Sequence, residues 1–464
     1  HLEKITDENG KFLWWTQRVD AYGQITKFMT GNYVTSEYEF DSITHRLRSI
    51  NTRQSAKKIL QDLSYGYDDF ANLAARKDER NGMEECFTYD GLNRLTEIRL
   101  NGKLLGRMGY DAYGRILDKQ ADGRTVFGGA DYSGVKPHAV KSATVQGNPF
   151  PMEQQDITYT MFDKVGTIAQ GDQTLSYRYG YDHERIMMTR TDGEGMKTDK
   201  IYVGNCEFFI APHHLGPNRT YLSGPLGVFA VAETINGNTQ LHYVYKDHLG
   251  SWTTVTNERG DVEQRLSFDA WGTPRDPETW SGNYNGTLMF DRGFTGHEHL
   301  YGFGLINMNG RMYDPVMSSF LSPDNYIQSP DFSQSFNRYA YCLNNPLRYV
   351  DPSGEIAVID DIIIAAAVCA AINVTMNGIS NSINNRPFFN GWGQAAIVGG
   401  LAGATGAGVA ALGAGAAVVG LAGGAVSGGI SAALNNGNLV QGVVIGGLSG
   451  WIGGGVGQYV GGGL

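Results

Sequence analysis

Residues 87–102, FTYDGLNRLTEIRLNG, and 108–123, MGYDAYGRILDKQADG, are two copies of one unit. In the second copy Tyr110 and Asp111 end a short strand. Ala112, Tyr113 and Gly114 then turn the chain, with Gly114 free to take a positive φ. RILDKQ alternates its side chains between two faces, as a strand does, and Ala121, Asp122 and Gly123 turn again. An aromatic residue followed by aspartate recurs at Phe40-Asp41, Tyr67-Asp68, Tyr89-Asp90, Tyr110-Asp111, Phe162-Asp163 and Tyr181-Asp182. Several of these pairs are spaced by roughly twenty residues, a repeat period. A single hairpin cannot bury its apolar face, so the copies must stack side by side. The expected fold is mainly β: a long, curling antiparallel sheet.

Composition points the same way. The chain has 464 residues, with 25 tyrosines suited to pleated surfaces and 63 glycines suited to turns. Its net charge of -10 argues against nucleic acid as a partner. Cys86, Cys206, Cys342 and Cys369 form no CxxC pair, so neither a zinc site nor a disulfide framework is indicated. The chain opens at His1 without a basic and apolar leader, which reads as a processed or truncated start.

From residue 242 the strand-and-turn grammar continues but the short period is lost. This region contains YKDHLGSWTTVTNERG (245–260), FDAWGTPR (268–275), GLINMNGRMYDPVMSSFLSPD (304–324) and NRYAYCLNNPLRYVDPSGE (337–355). Beyond it the character changes. Asp360, Asp361 and Arg386 are the only charges after Ile356, and glycines recur every fourth residue at Gly420, Gly424, Gly428 and at Gly453, Gly457, Gly461. On helices that spacing makes a flat stripe where two backbones approach closely.

The tyrosine–aspartate copies and the four motifs between residues 245 and 355 resemble those of the RHS/YD-repeat proteins, including their RHS-associated core. The resemblance covers roughly residues 1–355. It implies a β-sheet shell that spirals into a hollow cocoon, a core that closes one end, and a variable C-terminal cargo, often a toxin, after an Asp-Pro-x-Gly motif. It also implies a break in the chain just after that motif, made by aspartates of the core. The expected domains are therefore 1–241, shell repeats; 242–355, core; and 356–464, an α-helical glycine-rich tail. The expected function is the carrier part of a secreted bacterial polymorphic toxin. A cell-surface interaction protein anchored by its tail is the alternative.

The chemistry implied is an intramolecular aspartic protease. By resemblance the catalytic roles fall on Asp324 in LSPDNY and Asp351 in YVDPSG, with Glu355-Ile356 as the scissile bond. An aspartic pair needs two carboxyls sharing one proton, and Arg311 in NGRMYDP could hold one of them ionised through a bidentate pair. Without the resemblance Asp351 reads as the first residue of a type I turn and Asp324 as a cap. The motif ends in Glu355, where the best-known self-cleaving relatives carry leucine.

His297 and His299 in HEH would share a face on a strand, but no third ligand at a characteristic spacing accompanies them; a solvated strand edge is expected. His248 is expected to pack or turn. No metal or other cofactor is expected. For the tail three readings stand: a membrane-inserting hairpin with Trp451 and Tyr459 as interface anchors, a stored pre-toxin segment, or a loosely packed glycine-rich tail. The expected partners are the chain's own C-terminal segment or a toxin cargo, an immunity protein, secretion machinery and a membrane.

Overall fold

The computed structural model describes residues 3–359 apart from 135–137, 146–153, 182, 213, 283, 285, 326, 328–331 and 356–357. Of the expected helical tail only Val358–Ile359 is described, and it is a two-residue strand; the glycine stripes and Ile356 lie outside the described residues. Lys11–Leu222 and Val228–Val358 form one compact unit, built of antiparallel β-strands with short 3-10 turns at Phe294–Gly296, Ser333–Phe336 and Cys342–Asn344.

Each strand from Phe12–Val19 through Ser142–Val145 pairs with the next in chain order, and an eleven-stranded sheet follows from Gln155–Tyr159 to Val262–Arg265. The tyrosine–aspartate pair explains the repeat. Asp90 Oδ1 accepts the N–H groups of Leu92 and Arg94, and Asp111 Oδ1 accepts those of Tyr113 and Arg115. One carboxylate thus satisfies two donors and fixes the turn. The tyrosine sits at a register shift just before the turn, at Tyr67, Tyr89 and Tyr110 alike. Its hydroxyl donates to the carbonyl at the head of the preceding unit's second strand, Tyr89 to Leu73 and Tyr110 to Leu95, and Tyr132, which precedes serine and not aspartate, bonds to Ile116 in the same way. Arg94 then lies 4.5 Å over the Tyr110 ring and Arg115 lies 4.7 Å over Tyr132. Each unit is therefore bonded to its neighbour through the motif itself, and a bulge per unit increases the twist of the sheet.

The second sheet runs across residue 241 without a break. Asn238–Lys246 pairs with Gly227–Ile235 on one side and with Trp252–Thr256 on the other. After Arg265 come short elements. Ser267–Phe268 pairs with Pro274–Arg275, and a four-stranded sheet is formed by Glu298–Leu300, Leu305–Met308, Arg311–Asp314 and Ser319–Phe320. Leu300, Phe303, Leu305 and Met312 of this small sheet pack on Val165, Ile168, Leu175 and Tyr177 of the large one.

Polar contacts also join the two large sheets to the residues that follow them, three sets of them buried. Lys200, 1% exposed, places Nζ 2.6 Å from Glu298, 2.8 Å from Asp291 and 2.9 Å from Glu207. Glu85 is clamped between Arg76 at 2.7 Å and Arg275 at 2.5 Å. Burial pushes the Glu85 carboxyl up, but the two guanidinium groups outweigh it and bring it down to about 2. Finally, the segment before residue 351 docks on the repeat turns in order. Asn345 Nδ2 donates to Asn72 Oδ1 and to the Asn93 carbonyl, while Asn337 and Asn344 both donate to the Gly114 carbonyl.

Candidate functional site

Strand pairing and one tight turn assemble the site. Leu305–Met308 and Arg311–Asp314 pair with Met308 opposite Arg311, leaving Asn309 and Gly310 as the connecting turn. The 351–354 turn lies against this hairpin. Gly310 N–H donates to the Ser353 carbonyl at 2.7 Å, Asn309 Nδ2 to the Pro352 carbonyl at 2.8 Å, and Arg311 Nε to the Gly354 carbonyl. Gly354 has φ +71°, and a Cβ there would run into Met308 O, Arg311 N and Gly310 N. Only glycine meets both the conformation and the contact.

The structure brings Arg311, Asp324 and Asp351 together although they are far apart in sequence. All three are buried, at 6, 5 and 1% exposed. Arg311 Nη2 lies 3.0 Å from Asp351 Oδ2 and 3.3 Å from Asp324 Oδ2. One nitrogen thus serves both carboxylates; the expected bidentate pair with a single aspartate is not the arrangement found. Nη1 donates to the Arg338 carbonyl, whose oxygen also accepts the Asp324 N–H at 2.8 Å. Phe320 covers the guanidinium, with Cζ 3.6 Å from its ring centroid. Burial lowers the Arg311 pKa despite the two aspartates beside it.

Asp351 does a second job with its other oxygen. Oδ1 accepts the Glu355 N–H at 3.0 Å, and Gly354 N–H closes the turn on the Asp351 carbonyl at 3.3 Å. Turn residue and arginine partner are therefore one side chain. Glu355 sends its carboxylate toward Lys164, 3.8 Å away. Ile356, the other side of the expected scissile bond, lies outside the described residues. The Cys342 thiol is buried beside this site; burial and then Asp351 hold its pKa well up.

Sequence reasoning missed Lys164, Asn309, Gly310 and His297 as neighbours of the turn, because each is far from it in sequence. The HEH motif was the available signal. Instead of a solvated edge, His297, Glu298 and His299 are all buried, at 3, 1 and 7% exposed. The reason is Lys200, which draws Glu298 inward and the whole strand with it. His297 Nε2 lies 3.3 Å from the Pro352 carbonyl, and His299 Nε2 accepts the Phe294 N–H at 3.0 Å.

Burial pushes His297 down to about 4, and burial and then His297 push His299 down to about 3; His248 is brought to about 3 by burial and then Arg76. These groups stay neutral in the fold but titrate near 6.5 once the chain unfolds. As the pH falls below about 6.5 the unfolded chain takes up protons that the native chain refuses. Stability is full above that pH and is lost as the pH falls toward the folded values, at up to about 1.4 kcal/mol per pH unit for each histidine. Urea midpoints measured at pH 7 and pH 5 check this; equal midpoints would contradict it.

A family model described as Teneurin YD-shell matches residues 2–347, three quarters of the chain. The chain belongs to the Teneurin YD-shell family. As an RHS/YD-repeat shell protein it is 24% identical over 296 residues to the tRNA3(Ser)-specific nuclease WapA of Bacillus spizizenii, a match covering 63% of this chain and 11% of that one. It is 25% identical over 224 residues to salivary gland surface protein 1 of Aedes aegypti, covering 45% of this chain and 6% of that one. The YD-shell fold is shared with the crystal structure of TcdB2-TccC3 without its hypervariable C-terminal region, at a TM-score of 0.60 and 18% identity, over 74% of this chain and 19% of that one. This YD-shell chain thus spans about a tenth or less of the length of these curated relatives.

Proposed function

We propose that this YD-shell chain is the carrier part of a secreted toxin, and that its core cuts the chain after Glu355 to free a C-terminal cargo. Residues 1–241 serve as shell, 242–355 as core, and 356–464 as the start of the cargo side. The observation that carries the reading is the buried set of Asp324, Asp351 and Arg311 against the 351–354 turn, with Arg311 holding the Gly354 carbonyl one residue before the bond to be cut. One carboxylate takes a proton from the attacking water, whose oxygen bonds to the Glu355 carbonyl carbon. The other, protonated, carboxyl donates to the carbonyl oxygen. The C–N bond then breaks and the Ile356 nitrogen leaves with a proton. Because both partners belong to one chain, the high effective concentration favours the step.

Intact-mass analysis of the purified full-length protein tests this. The expected result is two pieces that divide between Glu355 and Ile356 and still elute together under native conditions. A single unbroken chain would refute self-cleavage and favour the second reading, a secreted or cell-surface interaction protein with a permanently attached tail. That second reading is favoured by the similarity to the mosquito salivary gland surface protein.

A further inference from the structure

In two repeats, the residue four places after the turn-capping aspartate is an arginine that folds back on its own turn. Arg94 lies 2.6 Å from Asp90 and Arg115 lies 2.6 Å from Asp111. Lys164 occupies the same place: Thr160 N–H donates to the Lys164 carbonyl, as Asp90 N–H does to Arg94 and Asp111 N–H to Arg115. Here, however, the capping residue is Thr160. Its hydroxyl still accepts the Lys164 N–H at 3.2 Å, but it brings no charge. The cation of this repeat is thereby released from its own turn.

Lys164 is 9% exposed, and its ammonium lies 3.8 Å from Glu355 Oε1. That distance is a charge–charge contact, longer than a hydrogen bond. The Glu355 side chain also runs over Gly310, where a Cβ would come within 2.7 Å of Glu355 Cγ and 3.1 Å of Oε1. The Glu355 N–H is fixed by Asp351. Backbone, stem and carboxylate of Glu355 are therefore each held, by Asp351, Gly310 and Lys164 in turn. There is an electrostatic reason for the lysine. Glu355 brings a further carboxylate to the residue whose N–H Asp351 caps, and Lys164 supplies the cation that offsets it.

We propose that Lys164 is a specificity-determining residue of the self-processing site, selecting an acidic side chain on the residue just before the scissile bond. The inference rests on the self-cleavage reading. The test is a time course of intact mass on full-length protein carrying Lys164→Glu, Glu355→Lys, both together, or Glu355→Leu with and without Lys164→Ala. Thermal melts confirm that each variant is folded. The expected result is that either charge reversal alone slows cleavage by about tenfold or more, and that the double reversal recovers most of the loss. With leucine at 355, the rate becomes indifferent to residue 164. A double variant as slow as the singles, or a Lys164→Glu protein that cuts like the wild type, would overturn the proposal and leave self-cleavage intact. A wild type as uncut as Asp351→Asn removes the self-cleavage reading and this inference with it.

Discussion

Asp351→Asn leaves the full-length protein essentially uncut. The substitution is nearly isosteric. It keeps an oxygen for the Glu355 N–H, which Asp351 Oδ1 accepts at 3.0 Å, so the turn retains its cap. What it removes is the ability to take or give a proton, and general acid–base groups contribute about 10²–10⁴-fold. Cleavage should slow by that factor in an intact-mass time course. There is also a structural cost, because an amide replaces the carboxylate that Arg311 Nη2 meets at 3.0 Å. Arg311 keeps the Arg338 and Gly354 carbonyls and Asp324, so the loss should stay near 1–3 kcal/mol. Asp324→Asn is the companion variant, since its carboxylate lies 3.3 Å from the same nitrogen and its N–H bond to Arg338 is untouched. An Asp351→Asn protein that is cut at the wild-type rate would reduce Asp351 to a turn residue.

Lys200→Met should destabilise the unit by about 3–5 kcal/mol, the cost of removing one partner from a buried ionic cluster. Methionine preserves the length and apolar stem of lysine but leaves Glu207 and Glu298 buried without their shared ammonium. Burial alone would lower the Lys200 pKa, yet Glu298 and Asp291, followed by Tyr202 and Glu207, hold it well up, so the lysine is charged in the fold. Two of the three carboxylates keep another cation: Arg292 lies 2.7 Å from Glu207 and Arg219 lies 3.5 Å from Asp291. Among the described residues Glu298 keeps only neutral donors at hydrogen-bond distance, Tyr202 and Asn307. The Glu298 pKa should therefore rise in the variant, with Arg292 and Arg185 still holding it down in part, and Glu298→Gln added to Lys200→Met should recover part of the loss. Urea unfolding followed by tryptophan fluorescence measures both. A Lys200→Met protein as stable as the wild type would show that the cluster contributes nothing to holding the core on the second sheet.

The repeat and its sheet were legible because local chemistry dictates them. Asp111 caps its turn whatever surrounds it, and Gly114 takes φ +75° as its position in the turn requires. Asp324 and Asp351 were grouped only through resemblance, and Arg311 was expected to pair with one carboxylate where it lies between two. No local pattern brings Asp324 and Asp351 to one nitrogen; strand pairing at Met308–Arg311 and the docking of the 351–354 turn do that. His297 and His299 were misplaced because nothing in the HEH motif itself shows that Glu298 meets a buried lysine nearly a hundred residues earlier. Lys164 was unreadable for a related reason. Its meaning comes from the missing aspartate at Thr160, and that is visible only once the repeats are superposed turn on turn.

The asparagine contacts have a consequence for how such a chain can change length. Asn345 touches the turns at Asn72 and Asn93 at once, and Asn337 and Asn344 reach the next turn at Gly114. Together they act as a ruler whose marks are three successive repeats. Adding or deleting one unit between Asp68 and Arg115 would put every mark out of register, and with it the segment that leads into Asp351. Growth and shrinkage of the repeat array are therefore barred within those three turns, and this stretch of the shell has a fixed count.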